Sequence, residues 1–244
     1  MAGNYYDSER AGSEYLLLHY GNPAPWRATF PARCVTECLA ANKVPKKSRA
    51  VDLGCAVGAS SFELARHCAE VIGIDASEQF IEIAHDLQKR GTRKFNYVQE
   101  GELTRTAKAV VPSKIDRERV TFEVGDATAL RDGLGKFDVI LMANLIDRVP
   151  NPRKLLRQLP ALMNPGGQLI ITSPYTWMTE YTPRSEWLGG FKRGARKVET
   201  FAALKALLSP DFKLSKRRDI PFAIREHARK YQFGIAEASV WLRR

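Results

Sequence analysis

Val51-Asp52-Leu53-Gly54-Cys55-Ala56-Val57-Gly58 is the stretch that decides the fold. A short apolar run ends in an acid, turns on Gly54 and enters a helical pattern at Gly58. Glycines at such a turn let the backbone take positive φ and approach a ligand closely. In a doubly wound sheet, a crevice opens beside this first strand-to-helix turn. A dinucleotide site asks for G-x-G-x-x-G with helix amides facing a pyrophosphate. Here the spacing is G-x-x-x-G and a carboxylate precedes the first glycine by two residues. That charge repels a pyrophosphate and suits a ligand with an ammonium group and no phosphate, which describes S-adenosylmethionine.

The units that follow repeat the pattern. Val71-Ile72-Gly73-Ile74 reads as a second strand ending at Asp75-Ala76, and Ser77 caps a helix running to about Lys89. An acid about twenty residues beyond the glycine turn accepts hydrogen bonds from ribose hydroxyls. Val120–Val124 is a third strand, leading to Gly125-Asp126-Ala127, where Asp126 suits an adenine amino group. Phe137–Met142 is apolar throughout, as in a parallel strand covered on both faces. Leu155–Met163 reads as a helix stopped by Asn164-Pro165-Gly166-Gly167, and Gln168–Thr172 as a fifth strand. A helix near 199–208 leads to strands near 212–219 and 234–242. Alternating β and α signals of this kind predict an α/β doubly wound sheet with an antiparallel hairpin near its end.

Residues 1–48 read as an N-terminal helical extension, with Ser8 capping a helix that carries Ala11, Tyr15 and Leu18, and a second helix over 31–42. The main domain is then 49–244. Two segments break its alternation. Residues 92–118 suggest an inserted hairpin, and 175–197 an aromatic substrate loop of a length typical of lids and binding loops.

The chain has 244 residues, 44% hydrophobic and 27% charged, with a net charge of +11. That composition is globular, and its length needs no metal or disulfide to hold a core. Its basic residues are scattered; the densest groups are 43–49, 192–197 and 216–218, read as solvated surface rather than a nucleic-acid site. Cys34, Cys38, Cys55 and Cys68 lack zinc spacing and read as reduced buried thiols, and His19, His67, His85 and His227 show no metal-ligand spacing. No metal is expected. No apolar run approaches the ~20 residues of a membrane span, and the N-terminal residues lack a signal-peptide pattern, so a cytoplasmic protein off the membrane is expected.

With its three strand-end acids and its Asn164–Gly167 connection, the sequence resembles the class I methyltransferases. That resemblance implies a Rossmann-like, seven-stranded sheet. It also implies that Asp52 and the Gly54–Cys55 backbone, with Gly58 at the helix entry, face the methionine part of S-adenosylmethionine. Asp75 and Ala76 would take the ribose, Asp126 and Ala127 the adenine, and Asn144 would sit by the sulfonium and substrate. The usual second glycine of the turn is Ala56.

Longer strings resemble one family within that group. They are Asn4-Tyr5-Tyr6-Asp7-Ser8 with Glu14-Tyr15-Leu16-Leu17, the Asp52–Gly58 turn, Glu100-Gly101-Glu102-Leu103, Ala143-Asn144-Leu145-Ile146-Asp147-Arg148, Thr172–Trp177 and Trp187-Leu188-Gly189-Gly190-Phe191. The family is the C-terminal methyltransferase domain of the ovothiol biosynthetic enzyme, in which Ala56 belongs to the pattern. The resemblance implies methylation of the π nitrogen of the 5-thiohistidine imidazole, giving ovothiol A. The iron-dependent sulfoxide synthase domain of the two-part enzyme has no counterpart here. A free-standing methyltransferase or an excised domain is therefore expected, with a separate sulfoxide synthase as a candidate partner.

For the chemistry, an imidazole nitrogen in line with the sulfonium methyl needs mainly placement and exclusion of water. If a proton must leave, Asp147 is the first candidate acceptor, with Tyr6 or Glu226 as alternatives. Arg10, Arg184 and Arg225 are candidates for the substrate carboxylate. Tyr5, Tyr6, Tyr15, Tyr175, Trp177 and Trp187 are candidates for aromatic walls around ring and sulfonium, with the N-terminal segment closing as a lid. Two other readings stay open. One is a methyltransferase for another small molecule or for RNA; the other is a non-catalytic S-adenosylmethionine-binding partner of a sulfoxide synthase.

Overall fold

The computed structural model describes residues 6, 8–22 and 24–244. Its chain order begins with α1 (Glu9–Tyr20), α2 (Phe30–Thr36), β1 (Arg49–Leu53), α3 (Ala59–Leu64), β2 (Glu70–Asp75) and α4 (Glu78–Arg90). A hairpin, β3 (Thr92–Glu100) and β4 (Leu103–Val110), interrupts the alternation before β5 (Val120–Val124). Then follow β6 (Phe137–Ala143), α5 (Pro152–Leu162), β7 (Met163–Ser173), the short pair β8 (Phe191–Arg193) and β9 (Arg196–Val198), and α6 (Thr200–Leu208). The chain ends with the long antiparallel strands β10 (Phe212–His227) and β11 (Lys230–Arg243).

Seven strands form the main sheet in the order β10-β11-β7-β6-β1-β2-β5. β7, β6, β1, β2 and β5 run parallel, and β11 pairs antiparallel with β7. The period-two alternation of side chains sorts the strands onto two cores. Val139, Leu141 and Ile170 face one side with Phe62, Phe80 and Leu87. Val51, Leu53, Ile140, Met142 and Leu169 face the other with Leu155, Leu159 and Trp241. The doubly wound sheet, its terminal hairpin and the inserted hairpin are all as the sequence predicts.

Helix starts follow local chemistry. The Ser8 hydroxyl accepts the Ala11 N–H at 3.2 Å and the Ser77 hydroxyl accepts that of Phe80 at 3.2 Å. Each supplies one partner for the orphan donors of a first helical turn.

Several boundaries differ from the sequence reading. The expected helix over 31–42 is Phe30–Thr36 followed by a tight 3-10 turn, Ala41–Lys43. Asn164–Gly167 does not stop a helix before a strand; β7 already begins at Met163, and a register slip opposite Phe137 and Val139 absorbs the segment. The final strands are about twice as long as expected. The charged run Lys216–Asp219 and Pro221 disguised β10, yet β10 is an edge strand, where proline is tolerated.

That extra length has a consequence. β11 pairs with β7 only over Glu237–Leu242, so the far part of the β10–β11 hairpin overhangs the carboxyl ends of the parallel strands. The Ala228 N–H reaches the Gln99 carbonyl of β3 at 3.1 Å. The terminal hairpin, the inserted hairpin and α1 together roof the end of the sheet where the glycine turn lies.

Candidate active site

Beneath this roof lies a cavity of about 460 Å³. Its floor is the set of turns after β1, β2, β5 and β6: Gly54 and Ala56, Asp75 and Ala76, Gly125–Ala127, and Ala143–Leu145. Gly54 has φ +72°, and a Cβ there would stand 2.7 Å from Leu145 Cδ1. Gly58, at φ +85°, would place a Cβ 2.6 Å from Phe122 Cζ. Both positions therefore require glycine. Ala56 also takes a positive φ of 46°. Its N–H donates to Asp75 Oδ2 at 2.8 Å, which ties the turn to the end of β2.

Asp75 also accepts the Ser77 N–H at 3.0 Å, so its carboxylate is fixed at the cavity edge. Asp126 is held by the Thr128 N–H at 2.7 Å and the Thr128 hydroxyl. Asn144 sits at φ +53° with its N–H on the Thr172 carbonyl at 2.9 Å, and its Oδ1 accepts the Thr172 hydroxyl at 3.0 Å. Four loop ends thus converge on one space, with their polar groups set by the backbone of neighbouring strands.

Other expected residues lie elsewhere. Asp52 does not reach the cavity wall. It is sealed beneath the turn, where Oδ2 accepts the Ser60 and Ser61 hydroxyls at 2.7 Å each and Oδ1 has no protein partner. Burial pushes its pKa up to about 6. Cys55 and Gly58 also stay behind the lining, Cys55 as a buried thiol.

Asp147 is not placed as a proton acceptor for anything in the cavity. It is 1% exposed and accepts the Ser173 hydroxyl at 2.8 Å, the Thr176 N–H at 3.0 Å and Arg148 Nη1 at 2.9 Å. It pins the loop after β6 to the loop after β7. Burial raises its pKa, against the lowering pull of Arg148. Glu226 pairs with Lys230 and Gln232 and also lies outside the lining.

The expected substrate arginines are engaged away from the cavity. Arg10 pairs with Glu14 along α1. Arg184 stacks over Trp187 and Phe191. Arg225 lies over Tyr97, 4.9 Å from the ring centroid, on the outer part of the hairpin. Trp177 and Trp187 stack on each other and bond Thr200 and the Thr182 carbonyl, and Tyr175 donates to Glu237. The 175–197 segment is thus a packed aromatic flap over β7 and α6. None of residues 175–197 is in the cavity lining; Pro174, immediately before them, is. Tyr5 falls outside the described residues.

Tyr6 and Tyr15 do line the cavity, as expected, packing on Phe80 and on each other. Burial raises the Tyr6 phenol well above its ordinary value, and the phenol bonds Tyr181 and Arg148, so it remains protonated and is no base at neutral pH.

The structure also brings in groups to which the sequence reading gave no role. Arg148 lines the cavity, with Nη1 on the Thr176 carbonyl at 2.8 Å and its guanidinium 5.1 Å from the Tyr181 ring centroid. Among the described lining residues it is the one lysine or arginine. His19 also lines the cavity, its ring centroid 5.9 Å from that of Tyr15, and Leu18, Phe30, Pro31, Phe222 and Ile224 add apolar lining. One signal was available in the sequence: His19 stands four residues after Tyr15 within α1, the spacing that places side chains on one helical face. Arg148 sits in a non-helical loop and no local pattern marks it.

Among the described residues no group of three His, Cys, Asp or Glu could hold a metal ion, and no helix is long and apolar enough to cross a membrane.

A family model described as a methyltransferase domain matches residues 25–209. Among curated proteins, the chain is similar to ubiquinone biosynthesis O-methyltransferases. It is 27% identical over 128 residues to one from Coxiella burnetii, covering 52% of this chain and 44% of that enzyme. It is 27% identical over 173 residues to one from Stutzerimonas stutzeri, covering 71% and 59%. The chain thus spans about half the length of the curated relatives it matches. Among solved structures, it resembles a SAM-dependent methyltransferase from Methanosarcina mazei, with a TM-score of 0.56 and 18% identity over 83% of this chain and 95% of that one. It also resembles the N-methyltransferase NodS from Bradyrhizobium japonicum WM9, solved with S-adenosyl-L-homocysteine, with a TM-score of 0.54 and 15% identity over 95% and 98%. At these identities the structural likeness speaks for the fold.

Proposed function

Since the chain belongs to the methyltransferase domain family, we propose that it uses S-adenosylmethionine to methylate the π nitrogen of the 5-thiohistidine imidazole, giving ovothiol A. The cavity's chemistry fits that cofactor. Its floor is a glycine turn in which a Cβ at Gly54 would meet Leu145, and two strand-end carboxylates, Asp75 and Asp126, offer acceptors suited to ribose hydroxyls and an adenine amino group. A phosphate would find those same carboxylates repulsive. Bound there, S-adenosylmethionine supplies an electrophilic methyl group on a sulfonium.

The observation that carries the acceptor reading is Arg148. An amino-acid substrate needs a cation for its carboxylate, and guanidinium is the side chain best matched to it. Arg148 is framed by Tyr6 and Tyr181, with Tyr15 beside Tyr6. Flat aromatic walls suit a small ring, and their π faces favour nearby positive charge by roughly 0.5–2 kcal/mol. The protein's contribution is then to orient the ring, hold its carboxylate and exclude water. Asp147 is committed to the loops, and Tyr6 keeps its proton. Neither of these two supplies a base, which agrees with direct attack by a nitrogen made electron-rich by the neighbouring sulfur.

One observation favours a second reading. The apolar wall of Phe30, Pro31, Phe222 and Ile224 suits a larger, less polar acceptor, nearer in kind to the substrates implied by the names of the O-methyltransferase relatives. Arg148→Gln separates the two. For 5-thiohistidine it should raise KM at least tenfold, with affinity for S-adenosylhomocysteine unchanged within about twofold. An unchanged KM would remove the carboxylate role and favour the apolar acceptor.

A further inference from the structure

His19 occupies the cavity wall one helical turn after Tyr15 and is 7% exposed. Its Nδ1 accepts the N–H of Ala59, the first residue of α3, at 3.3 Å. No described residue bonds its Nε2, and that atom is not sealed in the protein; it opens to the cavity. An imidazole is neutral when buried without a counter-charge, and burial lowers this one to about 3. A neutral imidazole whose Nδ1 accepts a hydrogen bond carries its proton on Nε2. Toward the cavity, His19 is therefore a donor only. It cannot take a proton from a substrate.

What it meets must offer an oxygen lone pair. The glycine turn gives the direction. Ala56 of the turn is bonded to Asp75, whereas Ala59, three residues on, is bonded to His19. With the ribose at Asp75 and the adenine toward Asp126, the remaining end of the cofactor is its amino-acid end, and that end carries a carboxylate. A neutral donor suits this position. An arginine or lysine would repel the ammonium and sulfonium of the same molecule, while an imidazole N–H binds the carboxylate without that cost. Arg148, the cavity's cation, is a separate group, bonded to Tyr6 and lying over the Tyr181 ring. The two carboxylates that must be present together, one from each reactant, are thereby given different donors.

We propose that His19 is a cofactor-binding residue, a hydrogen-bond donor locked in one tautomer that holds the carboxylate at the amino-acid end of S-adenosylmethionine. The proposal rests on the cofactor reading given above. It is tested by calorimetric titration of the full chain, as wild type, His19→Leu and His19→Gln, with S-adenosylhomocysteine and with adenosine, which lacks the amino-acid end. His19→Leu should weaken S-adenosylhomocysteine binding at least about tenfold, as loss of a hydrogen bond to a charged group does. Adenosine binding should stay within about twofold, and His19→Gln, which keeps an N–H donor, should recover most of the loss. Unchanged S-adenosylhomocysteine affinity in His19→Leu, or a parallel fall for adenosine, would overturn the proposal. If wild type bound neither compound, the cofactor reading itself would fail and take this one with it. Should His19→Leu not fold, nitrogen-15 NMR of wild type decides: the protonated Nε2 resonance should shift with S-adenosylhomocysteine and not with adenosine. An Nε2 that carries no proton, or does not respond, would contradict the assignment.

Discussion

Two buried groups at the glycine turn, Asp52 and His19, make stability depend on pH in opposite directions. Burial raises Asp52 to about 6 from the usual carboxylate value, so the folded state holds its proton more tightly than the unfolded chain does. Its contribution is greatest below about pH 4 and is lost as pH rises through about 6, a change on the order of 3 kcal/mol at most. His19, lowered to about 3, resists protonation in the folded state, so its contribution is full above about pH 6.5 and is lost as pH falls toward 3. Between pH 6 and 4 the two partly offset each other. Asp52→Asn removes the offset, and denaturant unfolding should show stability falling more steeply on acidification than in wild type; parallel curves would contradict the assignment. Gly54→Ala belongs to the same scale. A left-handed alanine costs about 1–2 kcal/mol, and its Cβ would meet Leu145 in the cavity wall. Unfolding midpoints and S-adenosylhomocysteine titrations should both record a loss.

At the scale of elements, the joint between the loops after β6 and β7 sets the cavity's rim. Asp147 receives a hydroxyl from β7, an N–H from the following loop and the Arg148 guanidinium. Removing one partner of a buried ion pair costs roughly 3–5 kcal/mol. Asp147→Asn should therefore lower thermal stability and raise KM through Arg148, while the pH profile of kcat keeps its shape. A lost or shifted limb in that profile would restore Asp147 as a proton acceptor. The elements themselves were largely legible in the sequence. Apolar strands ending in Asp52, Asp75 and Gly125-Asp126, and helices capped by Ser8 and Ser77, carry local signals that tertiary packing does not override. The hairpin length was not legible. A run of four charges and a proline reads as a loop, and only the edge position of β10 makes it a strand.

Over the whole molecule, the floor of the site was readable, and of its roof only the N-terminal Tyr6 and Tyr15 and the existence of the inserted hairpin were. Each floor residue follows its own strand, so the motif carries the position. The roof is assembled from α1, the β3–β4 insertion and the overhanging end of β10–β11, three segments far apart in sequence, and no local pattern states that Phe30, Phe222 and His19 meet. The same holds for charge. Arg10, Arg184 and Arg225 were as plausible by type as Arg148, but only the last is carried to the cavity by the loop after β6. Several residues of the basic groups are engaged locally, although the net charge of +11 stays in excess. Arg49 is paired with Glu70, Arg217 with Glu237, and Arg218 with Glu37, while Lys216 donates to the Glu37 carbonyl at 2.7 Å. An enclosed site with one cation suits a small anionic acceptor better than RNA.

Whether 5-thiohistidine is the methyl acceptor is decided by a mass-spectrometric turnover assay with S-adenosylmethionine. 5-Thiohistidine, histidine, a larger apolar acceptor with a free hydroxyl and RNA would be offered in parallel. One methyl group added to the π nitrogen of 5-thiohistidine, with histidine, the apolar hydroxyl acceptor and RNA left unmodified, is the predicted result. Methylation of the apolar acceptor's hydroxyl with 5-thiohistidine untouched would contradict it, leaving the fold and the cofactor site in place and giving the cavity's apolar wall the deciding role.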